Sequence, residues 1–182
     1  MKKVRLATLG IILALGALIW VAWTPIGDPP EVGDPAPEFT LVSNEGTEVN
    51  LTDYRDQWIV LYFYPRDFTR GCTIQARNFQ RDLEKYEEIN AVILGVSVDS
   101  AESHKDFCAK EGLTFKLLSD SEAIVSEEYG SLRGVGEVKM SARNTFVIDP
   151  EGVVAKVYIG VNPNPHSTEV LADLAELQQS DD

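Results

Sequence analysis

The stretch WIVLYFYPRDFTRGCTIQARNFQRDLEKYEEINAVILGVSV, Trp58 to Val98, decides the fold. It opens on Trp58–Tyr64, an uncharged apolar and aromatic run of the kind that forms a strand covered on both faces. Pro65–Gly71 reads as a loop. From Cys72 to Glu88, the residues Ile74, Phe79, Leu83 and Tyr86 recur at helical spacing. Ala91–Val98 is a second buried strand, so the stretch is a β-α-β unit.

Upstream, Phe39–Val42 and Glu48–Leu51 flank the turn signal Asn44-Glu45-Gly46 and predict a hairpin. Downstream, Ala101–Glu111 reads as a helix ended by Gly112 as C-cap. Leu117–Ser119 is a short strand, and Glu122–Tyr129 a helix stopped by Gly130. Thr145–Ile148 and Val153–Ile159 flank Asp149-Pro150-Glu151-Gly152 as a second hairpin. Ser167–Gln178 is a closing helix with Ser167 or Thr168 as N-cap. Buried strands alternating with helices predict an α/β fold with a mixed central sheet flanked by helices. The β-α-β unit followed by a hairpin and a helix resembles the thioredoxin-like arrangement. The domain is expected over residues 38–178, with 179–182 as a flexible tail.

The N-terminus is a separate object. Leu6–Trp23 carries no charge, and a helix of that length spans about 27 Å, enough for a bilayer core. Trp20 and Trp23 suit an interfacial aromatic belt, and a Trp is a poor neighbour for a signal cleavage site. Residues 1–23 are therefore expected to be an uncleaved membrane anchor. Lys2, Lys3 and Arg5 place the domain on the non-cytoplasmic side. A cleaved signal segment, leaving a secreted domain, is the alternative. Residues 24–37 hold five of the nine prolines and read as a semi-rigid spacer.

Charge excludes one class of partner. The chain is 182 residues with a net charge of −13, and from Thr24 onward 13 basic residues face all 29 acidic ones. Such a domain repels nucleic acid. With 44% hydrophobic residues, the chain also has enough apolar material for a core without metal or disulfide staples.

Two cysteines carry the chemistry. Cys72 falls in the first turn of the predicted helix, where unpaired N–H groups and the dipole favour an anion. A thiol placed there is a candidate nucleophile, and Arg66 and Arg70 stand nearby in sequence. Pro65, Thr69 and Cys72 form P-x-x-x-T-x-x-C. The Thr69 hydroxyl is in reach of the sulfur, and Pro65 offers no competing N–H. The bland reading of Cys72 is a small buried apolar residue. Tyr62, Tyr64 and Phe68 either shape a pocket or fill core.

YPRDFTRGCTIQA (Tyr64–Ala76) resembles the peroxidatic loop of the peroxiredoxins, in the branch of the bacterioferritin comigratory proteins and peroxiredoxin Q. GVSVDSAESHKDFCAKEGLTFKLLSD (Gly95–Asp120) and RNTFVIDPEG (Arg143–Gly152) are similar to the same branch. The resemblance runs from about Val32 to Leu177. It implies a thiol peroxidase without metal or other cofactor. Cys72 would be the peroxidatic thiolate. Thr69 would orient the hydroperoxide, and Arg143 would stabilise the thiolate and the developing charge. The sulfenic acid formed on Cys72 must then be resolved. A position five residues on, used by many members, is Arg77 here. The resemblance therefore implies Cys108 on the next helix, giving a Cys72–Cys108 disulfide recycled by a thioredoxin-like reductant in a monomeric enzyme. Joining the two requires one helix to open. Two residues depart from the family pattern. Arg70 stands where proline is usual, and Gln75 replaces a glutamate, which puts any ion pair of that glutamate in doubt.

Rival readings remain. A membrane-tethered thioredoxin-like domain could carry a structural disulfide. A general thiol–disulfide oxidoreductase would want Cys-x-x-Cys, which Cys72–Gln75 lacks. His104 and Cys108 lie one helical turn apart, a metal-ligand spacing, although His104 reads better as a polar surface residue. His166, beside Pro165, reads as a loop residue.

Overall fold

The computed structural model of the chain describes residues 27–135 and 138–180. The expected anchor, Leu6–Trp23, lies outside them. Among the described residues no helix is long and apolar enough to cross a membrane.

Elements follow the chain as β1 (Thr40–Ser43), β2 (Glu48–Asn50), β3 (Trp58–Phe63), α1 (Arg70–Glu88), β4 (Ala91–Ser97), α2 (Ala101–Glu111), β5 (Lys116–Ser119), α3 (Ile124–Glu128), β6 (Leu132–Val135), β7 (Val138–Ser141), β8 (Thr145–Ile148), β9 (Val154–Tyr158) and α4 (His166–Ser180). The main sheet has the order β2-β1-β5-β4-β3-β8-β9. β3, β4 and β5 run parallel, while β8 pairs antiparallel with β3. The expected mixed sheet is present, with the β-α-β unit at its centre.

All six residues of β3 are buried, because its alternating side chains feed two cores. Trp58, Val60 and Tyr62, with Tyr64 beyond the strand end, share a cluster with Cys72, Ala76, Phe79 and Tyr86 of α1 and with Val170 and Leu174 of α4. Phe107 and Cys108 of α2 join the same cluster. Ile59, Leu61 and Phe63 face the opposite way, onto Val125, Tyr129 and Phe146. The continuous apolar run of β3 is thus the cause of the two-sided packing that places both cysteines in one core.

Several boundaries differ from the sequence expectation, each for a local reason. α1 starts two residues earlier than Cys72, since Thr69 takes the extended N-cap conformation. α3 is confined to Ile124–Glu128 because Asp120 accepts from the N–H groups of Val125 and Ser126, at 3.2 and 2.7 Å, and fixes where the helix begins. α4 begins at His166, so Ser167 is not its cap; the Ser167 hydroxyl instead donates to Asp82 at 2.9 Å. The same helix extends to Ser180, through the first residues of the expected tail. The ribbon β6–β7 was not expected, because its strands mix glycine and charge and contain no apolar run. The Pro-rich stretch is docked at its inner end. Gly33 and Ala36 donate to the carbonyls of Val154 and Gly152, and Pro35 bridges Val153.

Candidate active site

Cys72 is the third residue of α1, one turn inside the helix whose N-cap is Thr69. The first turn contains no acidic residue, so no carboxylate there competes for the orphan N–H groups that favour an anion. The sulfur side chain is almost wholly buried, at 1% exposure. Both cysteines are free thiols on intact helices, the arrangement expected of the reduced state.

Arg143 completes the centre. Its Nη2 donates to Cys72 Sγ at 3.4 Å and its Nη1 donates to Gln75 Oε1 at 2.6 Å. The backbone that carries the guanidinium is tied down by two main-chain bonds. The Arg143 carbonyl accepts from Val161 N–H, and the Asn144 carbonyl accepts from Phe63 N–H at 2.8 Å, which ties the start of β8 to the end of β3. Gly71 leaves the guanidinium room, since a Cβ there would sit 3.1 Å from Arg143 Nη2. Arg143 read alone, without the resemblance, is an ordinary strand-start arginine; the fold shows it aimed at the sulfur.

Gln75 is the departure that the geometry makes clear. A glutamate here would form an ion pair with Arg143. The amide accepts a hydrogen bond instead and leaves the guanidinium's charge unneutralised by a carboxylate at that contact. Gln75 is itself buried, and its Nε2 has no partner.

The remaining predicted residues are placed as follows. Pro65 is half-buried just past β3, after Tyr64, whose N–H donates to the Val96 carbonyl. Thr69 is exposed, and its hydroxyl donates to the Arg66 carbonyl at 3.0 Å rather than reaching the sulfur. Arg66 pairs with Asp99 at 3.8 Å, and the cation in contact with the thiol is Arg143. Arg70 is exposed at the helix start. Tyr62 and Tyr64 are core residues stacked at 5.5 Å. The Tyr62 hydroxyl is buried without a partner. Burial, then the neighbouring Cys108 and Cys72, raise its pKa well above the ordinary value.

Cys108 lies on α2, which ends at Gly112 in the left-handed conformation as expected. Its thiol is pushed up to about 12, first by desolvation and then by the negative charges of Asp67 and Glu45. It is a neutral thiol in the closed fold.

The reading of His104 as a surface residue is corrected: its side chain is fully buried. Nδ1 meets Asp67 Oδ2 at 2.8 Å and Nε2 faces the Leu118 carbonyl at 3.2 Å, so both nitrogens are engaged. Burial alone would raise the Asp67 pKa. Hydrogen bonds from His104, Ser103 and Tyr64 outweigh it and hold the carboxyl below its usual value. The sequence signal was available, because His104 shares the buried helical phase of Phe107 and Cys108. His166 is likewise no loop residue. It opens α4, buried, with Nε2 against Thr145 Oγ1 at 2.8 Å. Burial first, and the Arg143 charge second, lower it to about 4. Among the described residues, no group of three or more His, Cys, Asp or Glu side chains is arranged to hold a metal ion.

The chain is similar to known proteins over most of its described length. The family model described as AhpC/TSA family matches residues 32–157. Peroxiredoxin Bcp of Bacillus subtilis is 39% identical over 153 residues, covering 82% of this chain and 98% of that protein. Chloroplastic peroxiredoxin Q of Sedum lineare is 41% identical over 150 residues, covering 80% and 78% respectively. A crystal structure of a cysteine-to-serine mutant of PrxQ from Xylella fastidiosa superposes with a TM-score of 0.77 at 37% identity, covering 82% of this chain and 98% of that one. A Xanthomonas campestris bacterioferritin comigratory protein, studied for alkyl peroxide reduction, gives a TM-score of 0.72 at 32% identity over 84% of this chain and 98% of its own. The mixed sheet is accordingly that of the thioredoxin-like peroxiredoxins. The chain belongs to the AhpC/TSA family, on the branch of the bacterioferritin comigratory proteins and peroxiredoxin Q.

Proposed function

We propose that this protein reduces hydroperoxides in two thiol steps, with Cys72 as nucleophile and Cys108 as resolving residue. The observation that carries the reading is the Arg143 Nη2 contact to Cys72 Sγ, 3.4 Å, at the start of a helix free of carboxylates in its first turn. Fixed donors aimed at developing charge are commonly the largest catalytic term.

In the first step the Cys72 thiolate attacks the distal peroxide oxygen. The O–O bond breaks, an alcohol or water leaves with a proton, and Cys72 becomes a sulfenic acid. Arg143 stabilises the thiolate before the attack and the oxygen charge during it. Thr69 would orient the peroxide once its hydroxyl turns from the Arg66 carbonyl. In the second step the Cys108 sulfur displaces the sulfenic oxygen as water and forms the Cys72–Cys108 disulfide. A thioredoxin-like dithiol then returns both cysteines to thiols by exchange. Because Cys108 is buried and its pKa is raised, the second step needs a local opening.

Leu6–Trp23 would tether this monomeric enzyme to a membrane, with the domain on the non-cytoplasmic side. A tether would favour peroxides formed near the bilayer, alongside hydrogen peroxide.

Mass spectrometry of the reduced chain after seconds of stoichiometric hydrogen peroxide tests the proposal. The expected product has lost two hydrogens and yields one peptide pair linking Cys72 to Cys108. Sulfenic or sulfinic acid on Cys72 alone would remove Cys108 from the reaction. An unreacted protein would overturn the peroxidase reading in favour of a structural thiol pair.

A further inference from the structure

Two consecutive residues of the loop before Cys72 grip the helix that carries Cys108. Asp67 reaches inward. Its Oδ2 accepts from Ser103 Oγ at 2.7 Å and pairs with His104 Nδ1 at 2.8 Å, while Tyr64 OH donates to its Oδ1 at 2.8 Å. Both Asp67 and His104 are buried. The Asp67 N–H adds a bond to Asp99 Oδ2 at 2.8 Å. Phe68 reaches outward. Its ring meets Phe107 edge to face at 5.1 Å, and Lys110 Nζ lies 5.2 Å from its centroid. Ser103, His104, Phe107 and Lys110 all belong to α2, the helix of Cys108.

The grip is strained. Phe68 has φ +59°, a region that a bulky L residue occupies only when its surroundings force it. Its ring remains half exposed, at 46%, so burial of the ring is not what holds the backbone there. The ring is in contact with Phe107 and Lys110 of α2 instead, and opening the loop would release the strain.

We propose that Asp67, Phe68, Ser103 and His104 are positioning residues that clamp the Cys72 loop to the Cys108 helix and set the fate of the sulfenic acid. This rests on Cys108 being the resolving thiol. Closed, the clamp keeps the peroxide-ready geometry and shields Cys108. Open, it frees the loop and α2 to bring the sulfurs together. Two reactions compete for the sulfenic acid. In one, Cys108 attacks the Cys72 sulfur, the S–S bond forms, the S–O bond breaks and water leaves. In the other, a second peroxide molecule transfers an oxygen to the same sulfur, giving sulfinic acid and water or alcohol. Only the first needs the clamp to open, so clamp strength sets the ratio.

Ser103→Ala and Phe68→Ala test this from the two sides of the grip, at positions that are not in the buried core. The reduced full chain is mixed with increasing hydrogen peroxide, quenched, and assayed for disulfide and sulfinic peptides. The rate of the first oxidation is followed separately. In each variant the peroxide concentration that converts half of Cys72 to sulfinic acid should rise, by about tenfold for loss of the Ser103 bond to the Asp67 carboxylate. A purely structural role would lower the first rate or the melting temperature and leave this ratio unmoved, which would overturn the clamp. If the unaltered chain forms no Cys72–Cys108 disulfide at all, the resolving role of Cys108 has failed, and the clamp falls with it.

Discussion

Arg143 and Cys72 stand 71 residues apart in sequence and 3.4 Å apart in space, Nη2 to Sγ. The second guanidinium arm is fixed on Gln75, one turn further along the same helix as Cys72. One residue thus contacts both the Cys72 sulfur and the helix that presents it. Arg143→Gln removes a charged donor from the sulfur while keeping an amide in place. The rate of peroxide reduction should fall about 10²- to 10³-fold, the scale for losing one donor aimed at developing charge. Arg143→Lys should recover only part, because a single ammonium cannot serve sulfur and Gln75 together. Stopped-flow oxidation of Cys72 measures both; a Gln variant within threefold of the natural chain would remove Arg143 from the chemistry.

Cys108 should be protected from alkylation in the native reduced protein. Its thiol sits at about 12 and is 7% exposed, so at pH 8 very little thiolate forms and little of it is reachable. Iodoacetamide labelling of Cys108 is expected to be slow in buffer and fast in urea. Equal rates in both would mean that α2 is already open.

His166 predicts a pH window for stability. Its unfolded value is 6.5 and its folded value about 4. The neutral ring is the form the fold accepts, so the stabilisation is complete above 6.5 and is lost as pH falls from 6.5 toward 4. Two and a half units correspond to roughly 3 kcal/mol. Urea titrations at pH 7 and pH 4.5 should show this loss, and His166→Gln should flatten it by taking the titrating ring away. Identical pH slopes in the two proteins would assign the acid sensitivity elsewhere.

Gly95, in the centre of β4, has no room for a methyl group. A Cβ would lie 2.6 Å from Leu117 Cδ2 and 2.7 Å from the Cζ and hydroxyl of Tyr62. Tyr62 cannot simply retreat, since its ring is packed between Tyr64 and Phe79 at 5.5 and 4.8 Å. Gly95→Ala should cost about 1–3 kcal/mol and lower the melting temperature by roughly 5 °C. Calorimetry checks it, and an unchanged melting temperature would show that the Tyr62 stack is soft.

How much of this could be read from the chain depends on the range of the interaction. Trp58–Phe63 and Ala91–Ser97 were legible because strands buried on both faces need unbroken apolar runs. Gly112 was legible because glycine takes the left-handed conformation of a helix cap without a Cβ penalty. Cys72 at a helix start is a local property. Its cation is not, since nothing around Arg143 indicates that β8 will pair with β3 and deliver it. Asp67 was missed for the same reason, as its partners lie across the fold, whereas the helical phase shared with Phe107 and Cys108 already marked His104 as buried. Thr69 shows the converse. Its spacing to Cys72 is favourable, yet the hydroxyl settles on the nearer Arg66 carbonyl. The ribbon β6–β7 was hidden by composition, because glycine and charge carry no periodic signal.

The strand order also has a consequence for how the protein comes into being. β3, α1 and β4 form a crossover of near neighbours in sequence, while β8 joins β3 from far downstream. Local pairings of this kind close sooner than distant ones, and a growing chain presents them first. Cys72 is therefore expected to take its place at the head of α1 before the strand that brings Arg143 docks. Through that interval the thiol lacks the Arg143 contact. A half-made chain therefore carries Cys72 without its arginine partner until the strands that follow β5 are in place.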